Sequence, residues 1–200
     1  MRAKTSLFAV ALAATALSTA ATPAAAETRR AYFAMGCFWC GEADFEKIDG
    51  VVEAVSGYAG GTTEDPSYEE VSRGGTGHYE AVRVSYDDTK LSYEDLLAIF
   101  WHNIDPLDAN GQFCDKGESY LSAIFPRNPE EKRLAQASLE RVEDQLGQEV
   151  ATDIVDAPTF YRAEEYHQDY YIKNKVRYGF YRNGCGRDAR LEELWGDKTG

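Results

Sequence analysis

Five consecutive residues, Gly36-Cys37-Phe38-Trp39-Cys40, concentrate reactive side chains in this 200-residue chain. A thiolate is both a nucleophile and a metal ligand. Two cysteines in C-x-x-C spacing suit a redox pair or half of a zinc site. The glycine allows a tight turn from a strand into a helix. A cysteine at that turn meets the first backbone N–H groups of the helix, which lack intrahelical partners, and the positive end of the helix dipole. The position is therefore expected to favour thiolate over thiol. Phe38 and Trp39 would wall the sulfur with apolar surface. The other two cysteines are Cys114 and Cys185. A glycine on each side of Cys185 would let its segment swing.

The elements that must position these groups follow from periodicity. Arg30 to Met35 reads as a strand ending at Gly36. Cys37 to Ile48 reads as a helix with both cysteines on one face of its first turn. Val51 to Tyr58 and Ala81 to Tyr86 read as strands, with loop between them from Gly60 to Pro66. Ser92 and Asp95 form a capping box ahead of an apolar stripe, Tyr93, Leu96, Leu97, Phe100, Trp101 and Ile104, which is core. Ser122 to Phe125 reads as a strand. Asn128-Pro129 opens a helix that Gly147 closes. Val150 to Val155 reads as a strand and Ala163 to Lys173 as a helix. From Tyr178 onward the chain reads as irregular. This order predicts an α+β fold: a two-layer sandwich with a ferredoxin-like core, a mostly antiparallel sheet and an irregular C-terminal segment.

The first 26 residues carry the three parts of a secretory signal. Arg2 and Lys4 precede an apolar run from Ser6 to Ala20, and Ala24-Ala25-Ala26 offers a cleavage site after Ala26. Residues 27–200 are then expected to form one domain, periplasmic or secreted, with its cysteines in an oxidising compartment. The formal net charge is −13, and cleavage removes two bases and no acid. So acidic a surface repels nucleic acid and anionic lipid, which excludes both as main partners. A stable membrane association is not expected.

The residues around the cysteines resemble those of the A-type peptide methionine sulfoxide reductases. Gly36-Cys37-Phe38-Trp39 matches that family's signature, and four further segments agree in order and spacing. They are Ser56-Gly57-Tyr58-Ala59-Gly60-Gly61 with Tyr68; Thr76-Gly77-His78-Tyr79-Glu80; Gln112 with Asp115, Gly117, Tyr120 and Ser122; and Ala163-Glu164-Glu165-Tyr166-His167-Gln168. The resemblance spans roughly Ala31 to His167. Ser119 and Leu121 depart from the family's usual Gln and Arg, and Cys40 stands where glycine is commoner.

The resemblance implies reduction of methionine-S-sulfoxide, protein-bound or free, in repair of oxidative damage. It implies no metal or organic cofactor. Cys37 would attack as the nucleophile and Glu80 would be the acid, protonated because an apolar wall raises its pKa. Tyr68 and Tyr120 would donate to the sulfoxide oxygen. Asp115 would order the polar pocket, and Phe38 and Trp39 would hold the substrate methyl. Attack leaves a sulfenic acid on Cys37, which a second thiol must resolve. Cys185 is the first choice, Cys40 the second and Cys114 the last. A thioredoxin-like donor would recycle the enzyme, expected to be a monomer. His78 and His167 read as structural. Three rivals stay open: a thiol–disulfide oxidoreductase on Cys37 and Cys40, a four-thiolate zinc module, and a disulfide-stapled binding domain.

Overall fold

The computed structural model describes residues 28–156 and 159–196. The expected signal segment, residues 1–26, lies outside the described residues. The elements run β1 (Thr28–Met35), α1 (Phe38–Glu46), β2 (Val51–Ala59), α2 (Tyr68–Arg73), β3 (Tyr79–Asp87) and α3 (Tyr93–His102). A hairpin of β4 (Gly111–Gln112) and β5 (Asp115–Lys116) precedes β6 (Ser122–Ile124) and α4 (Pro129–Leu146). Then come β7 (Asp153–Ile154), β8 (Tyr161–Arg162), α5 (Tyr170–Lys173), α6 (Lys175–Gly184) and α7 (Arg187–Trp195).

The main sheet is ordered β7-β6-β1-β3-β2-β8. Its four central strands are antiparallel neighbours, joined by α1 and α3 as in a split β-α-β. This is the expected ferredoxin-like core. Alternation along β1 explains its two faces. Ala31, Phe33 and Met35 join the large core, where Phe33 stacks on Phe45 and Phe100. Tyr32 and Ala34 join a smaller cluster on the opposite face, with Ala123 and Phe125. The stripe on α3 is buried as expected, and its Ser92–Asp95 capping box is formed. Asn128 caps α4, and Gly147 ends it in the left-handed region at φ 68°.

Three expectations need correction. The segment from Tyr178 is helical, in α6 and α7, because Arg187, Leu191 and Trp195 dock in the core although most of both helices is polar. The helix expected over Ala163 to Lys173 is broken. A 3-10 turn at Glu165–His167 and the four-residue α5 are separated at Asp169, which adopts φ 53°. Of the strand expected over Val150 to Val155, only β7 pairs, in parallel with β6. The short α2 was not anticipated, although Ser67 and Glu70 form a full capping box at its start.

Candidate active site

Gly36 makes the turn from β1 into α1 at φ 75°, and a Cβ there would lie 2.5 Å from the Cβ of Gln112. Gln112 itself is fixed: its amide accepts from Asp105 N–H at 2.8 Å and donates to the Asp105 carbonyl at 2.7 Å. The turn puts Cys37 at the N-cap of α1 and Cys40 in its first turn, with Cys40 N–H donating to the Cys37 carbonyl at 3.0 Å. Both cysteines are free thiols and buried.

The first N–H of the helix is taken. Phe38 N–H donates to Glu80 Oε2 at 3.0 Å. The helix end therefore serves the carboxyl rather than the Cys37 sulfur, which makes no side-chain cap. Burial pushes the Cys37 thiol well up, reinforced by Cys40 and Glu80. The expected resting thiolate on Cys37 is thus not what this environment favours. The pKa of Cys40 is instead lowered to about 7, by a hydrogen bond from Cys37 and by the cations of Arg187 and Arg182. Arg187 is 2% exposed, donates to the Asn103 carbonyl at 2.7 Å and faces Asp44 at 3.7 Å.

Glu80 is fully enclosed, and burial raises its carboxyl to about 8, reinforced by Asp115 and Cys40 against the pull of the Phe38 N–H. Tyr120 lies within hydrogen-bonding reach of both Glu80 and the Tyr68 hydroxyl. Burial also pushes the phenol of Tyr120 upward, so it stays a donor. These groups line one cavity of about 200 Å³ with Cys37, Phe38, Trp39, Asp115 and Tyr181. The structure therefore brings together Cys37, Glu80, Tyr68, Tyr120, Asp115, Phe38 and Trp39.

The last motif supplies the scaffold. Glu164 accepts from Tyr68 N–H at 2.8 Å and from the Tyr58 hydroxyl at 2.8 Å, which fixes the start of α2. Gln168 ties back to Ser56 N–H at 3.1 Å and to the Ser56 carbonyl at 3.0 Å. His167 accepts from the Trp39 indole N–H at 3.0 Å, and Trp39 stacks on Tyr170 with centroids 3.7 Å apart. His78 accepts from Gly61 N–H at 3.2 Å and lies 2.8 Å from the Thr63 carbonyl, a role within its loop. Tyr181 was missed, because no local signal marks it.

Cys185 is bonded to Cys114, with Cα atoms 4.9 Å apart. The first choice of resolving thiol is thus already paired, whereas Cys40 is hydrogen-bonded to Cys37. This pairing also removes two of the four thiolates that a zinc module would need.

The family model for peptide methionine sulfoxide reductase matches residues 29–199. This chain belongs to the peptide methionine sulfoxide reductase A family. Peptide methionine sulfoxide reductase MsrA 2 of Caulobacter vibrioides is 48% identical over 197 residues, which is 98% of this chain and 100% of that protein. Methionine sulfoxide reductase A of Corynebacterium diphtheriae superposes with a TM-score of 0.71 at 32% identity, covering 74% of this chain and 76% of that one. Reduced Mxr1 from Saccharomyces cerevisiae gives 0.71 at 31%, covering 80% and 91%. Mxr1 has also been solved in complex with Trx2, a form that shares the fold at 24% identity and a TM-score of 0.52, covering 77% and 91%. The chain is accordingly a peptide-methionine (S)-S-oxide reductase, an oxidoreductase that works through thiols.

Proposed function

We propose that Cys37 attacks the sulfoxide, that Glu80 protonates its oxygen, and that Cys40 resolves the product. One observation carries this reading: Cys37 and Glu80 line one cavity, Glu80 held by the Phe38 N–H and raised by burial, while Cys40 lies one helical turn on, outside that lining, with its pKa lowered. The substrate methyl lies against Phe38 and Trp39, and the sulfoxide oxygen faces Glu80, Tyr68 and Tyr120. Asp115 orders the polar rim of this pocket. As Cys37 attacks the substrate sulfur, its proton passes to Cys40 and the Glu80 proton goes to the oxygen. The S–S bond made by this attack then breaks as the protonated oxygen passes to Cys37: the substrate S–O bond is exchanged for a Cys37 S–O bond, and methionine leaves with two electrons drawn from the Cys37 sulfur. Cys40 then attacks Cys37. The leaving hydroxide takes the proton Cys40 had received and departs as water, leaving a Cys37–Cys40 disulfide and the Glu80 carboxylate.

A donor dithiol completes the cycle. Cys37 faces the cavity and Cys40 does not, so the donor attacks Cys37 and Cys40 leaves. A leaving thiol of low pKa departs faster, which is the use of Arg187 and Arg182. The donor is a thioredoxin-like protein; the complex of Mxr1 with Trx2 supports this assignment for a relative. The substrate is oxidised methionine in protein or peptide, and the enzyme works as a monomer, one domain over residues 27–200. The signal pattern and the Cys114–Cys185 disulfide support a periplasmic or secreted location. Among the described residues, no helix is long and apolar enough to cross a membrane.

The test is turnover of a methionine-sulfoxide peptide by Cys37→Ser and Glu80→Gln. Both are expected to lose it. Retained turnover in Cys37→Ser would reject the nucleophile. The same Glu80→Gln protein, assayed on a protein disulfide, separates the rival thiol–disulfide oxidoreductase, whose reaction has no use for the acid.

A further inference from the structure

Tyr181 lies outside every motif that marked the site, yet its ring stands edge-on to Trp39 at 5.9 Å and lines the same cavity as Cys37. Its hydroxyl donates to Oδ2 of Asp115 and acts on the Cys37 thiol against burial, lowering its pKa. One hydroxyl thus links the attacking sulfur to a carboxylate.

The two ends of this link come from distant segments, Asp115 in β5 and Tyr181 in α6. A cysteine stands beside each end. Cys114 immediately precedes Asp115. Cys185 follows Tyr181 by one helical turn, its N–H donating to the Tyr181 carbonyl at 2.9 Å. These two cysteines are joined in the disulfide. Core packing does not hold α6, which buries no residue. Its polar anchor is Arg182, paired with Asp44 at 2.9 Å.

We propose that Tyr181 is a positioning residue for sulfoxide reduction, bridging Cys37 to Asp115, and that the Cys114–Cys185 disulfide is the clasp that keeps the bridge in register. A phenol has one proton. In the resting enzyme it is donated to Asp115. As Cys37 ionises, the hydroxyl can turn and donate to the sulfur, the sense in which it acts on that thiol. The bridge thereby eases ionisation of Cys37 against burial. The ionisable groups around Cys37 are Cys40 on α1, Glu80 on β3, Tyr68 on α2, Tyr120 before β6, and Asp115 through Tyr181.

The experiment uses the full mature protein and two readouts. One is the rate of Cys37 alkylation by iodoacetamide across pH, followed by peptide mass spectrometry without substrate. The other is the single-turnover rate on a methionine-sulfoxide peptide. Tyr181→Phe removes only the hydroxyl. It is expected to move the Cys37 alkylation profile to higher pH and to slow the single turnover about tenfold, the loss of one hydrogen bond to a charged group. The Cys114→Ser/Cys185→Ser pair, Tyr181 intact, is expected to shift both readouts in the same direction. Adding Tyr181→Phe to it should then cost less than about twofold more, because coupled residues are not additive. An unmoved profile and rate in Tyr181→Phe would overturn the bridge. Full additivity, or a clasp-free protein with both readouts unchanged, would overturn the clasp. The proposal rests on Cys37 as the attacking sulfur. Turnover surviving Cys37→Ser would defeat that reading by itself, whereas alkylation tests Tyr181 without turnover.

Discussion

The N–H of Phe38 donates to Glu80 Oε2 at 3.0 Å, which ties the start of α1 to the start of β3. Glu80 pairs across the sheet with Tyr58 in β2, so the acid is held by the sheet and by the helix together. The same bond withholds the helix N-terminus from Cys37. It partly offsets the cost of burying a carboxyl without cancelling it, and Glu80 keeps its proton near neutral pH. Burial thereby favours the protonated form of both the nucleophile and the acid, while the shift on Cys40 runs the other way.

The Glu80 carboxyl, raised by burial to about 8, predicts two pH effects. Activity should fall as pH rises through about 8, where the acid is lost. Stability should fall as pH rises from the ordinary carboxyl range to about 8 and level off above it. Folded Glu80 keeps its proton in a range where the unfolded chain has already released it, so folding binds a proton and alkali opposes folding. Glu80→Gln should cut kcat by about 10²-fold or more, while its Tm declines less steeply than the wild type's from pH 6 to 9. A pH–rate profile and a Tm series check the pair. A wild-type Tm that declines no more steeply than the variant's would contradict a buried neutral acid.

Cys40→Ser should complete one turnover and stop. Without the second thiol the Cys37 sulfenic acid accumulates, and dimedone should label Cys37 after stoichiometric release of methionine. In the wild-type protein, turned over once without reductant, peptide mapping should find Cys37 joined to Cys40 and the Cys114–Cys185 bond intact. A Cys37–Cys185 cross-link would instead restore the C-terminal thiol as the resolving group.

Legibility in the sequence followed the strength of local patterns. β1 and α3 each carry a periodicity that only one packing satisfies, and the Ser92 and Asn128 caps mark their helices unambiguously. Helix α6 carries no such mark: it leaves Val176 and Phe180 exposed and buries nothing, so Tyr181 and Arg182 owe their place to contacts with Asp115 and Asp44. The burial that opposes a thiolate on Cys37 was hidden for a similar reason. The helix N-terminus was readable at Gly36-Cys37, but its occupation by Glu80 depends on strand register. The lowered pKa of Cys40 depends on Arg187, which reaches it only through the docking of α7.

Arg187 is the buried cation nearest in effect to Cys40, and its guanidinium also lies 4.5 Å over the Phe113 ring. Arg187→Leu leaves Asp44 with Arg182 and the more exposed Lys47. Breaking a buried pair from one side is expected to cost about 3 kcal/mol in stability, read by urea unfolding. It should also raise the Cys40 pKa, so that recycling by a dithiol slows more than the first turnover does. If stability fell while both rates were unchanged, Arg187 would be a core ion and nothing more.

Gly36→Ala tests whether the turn itself positions the sulfur. At φ 75° an L side chain is strained, and the new Cβ would meet the Gln112 Cβ at 2.5 Å. Gln112 cannot move aside without losing both hydrogen bonds to Asp105. The two effects together should cost about 3 kcal/mol. What relaxes is the junction of β1 and α1, so Cys37 shifts against Glu80 and the Phe38 N–H contact lengthens. Loss of kcat should therefore exceed any change in KM, measured well below the variant's Tm on the folded fraction. A variant that lost stability but kept the wild-type kcat would show that the site tolerates displacement of its sulfur.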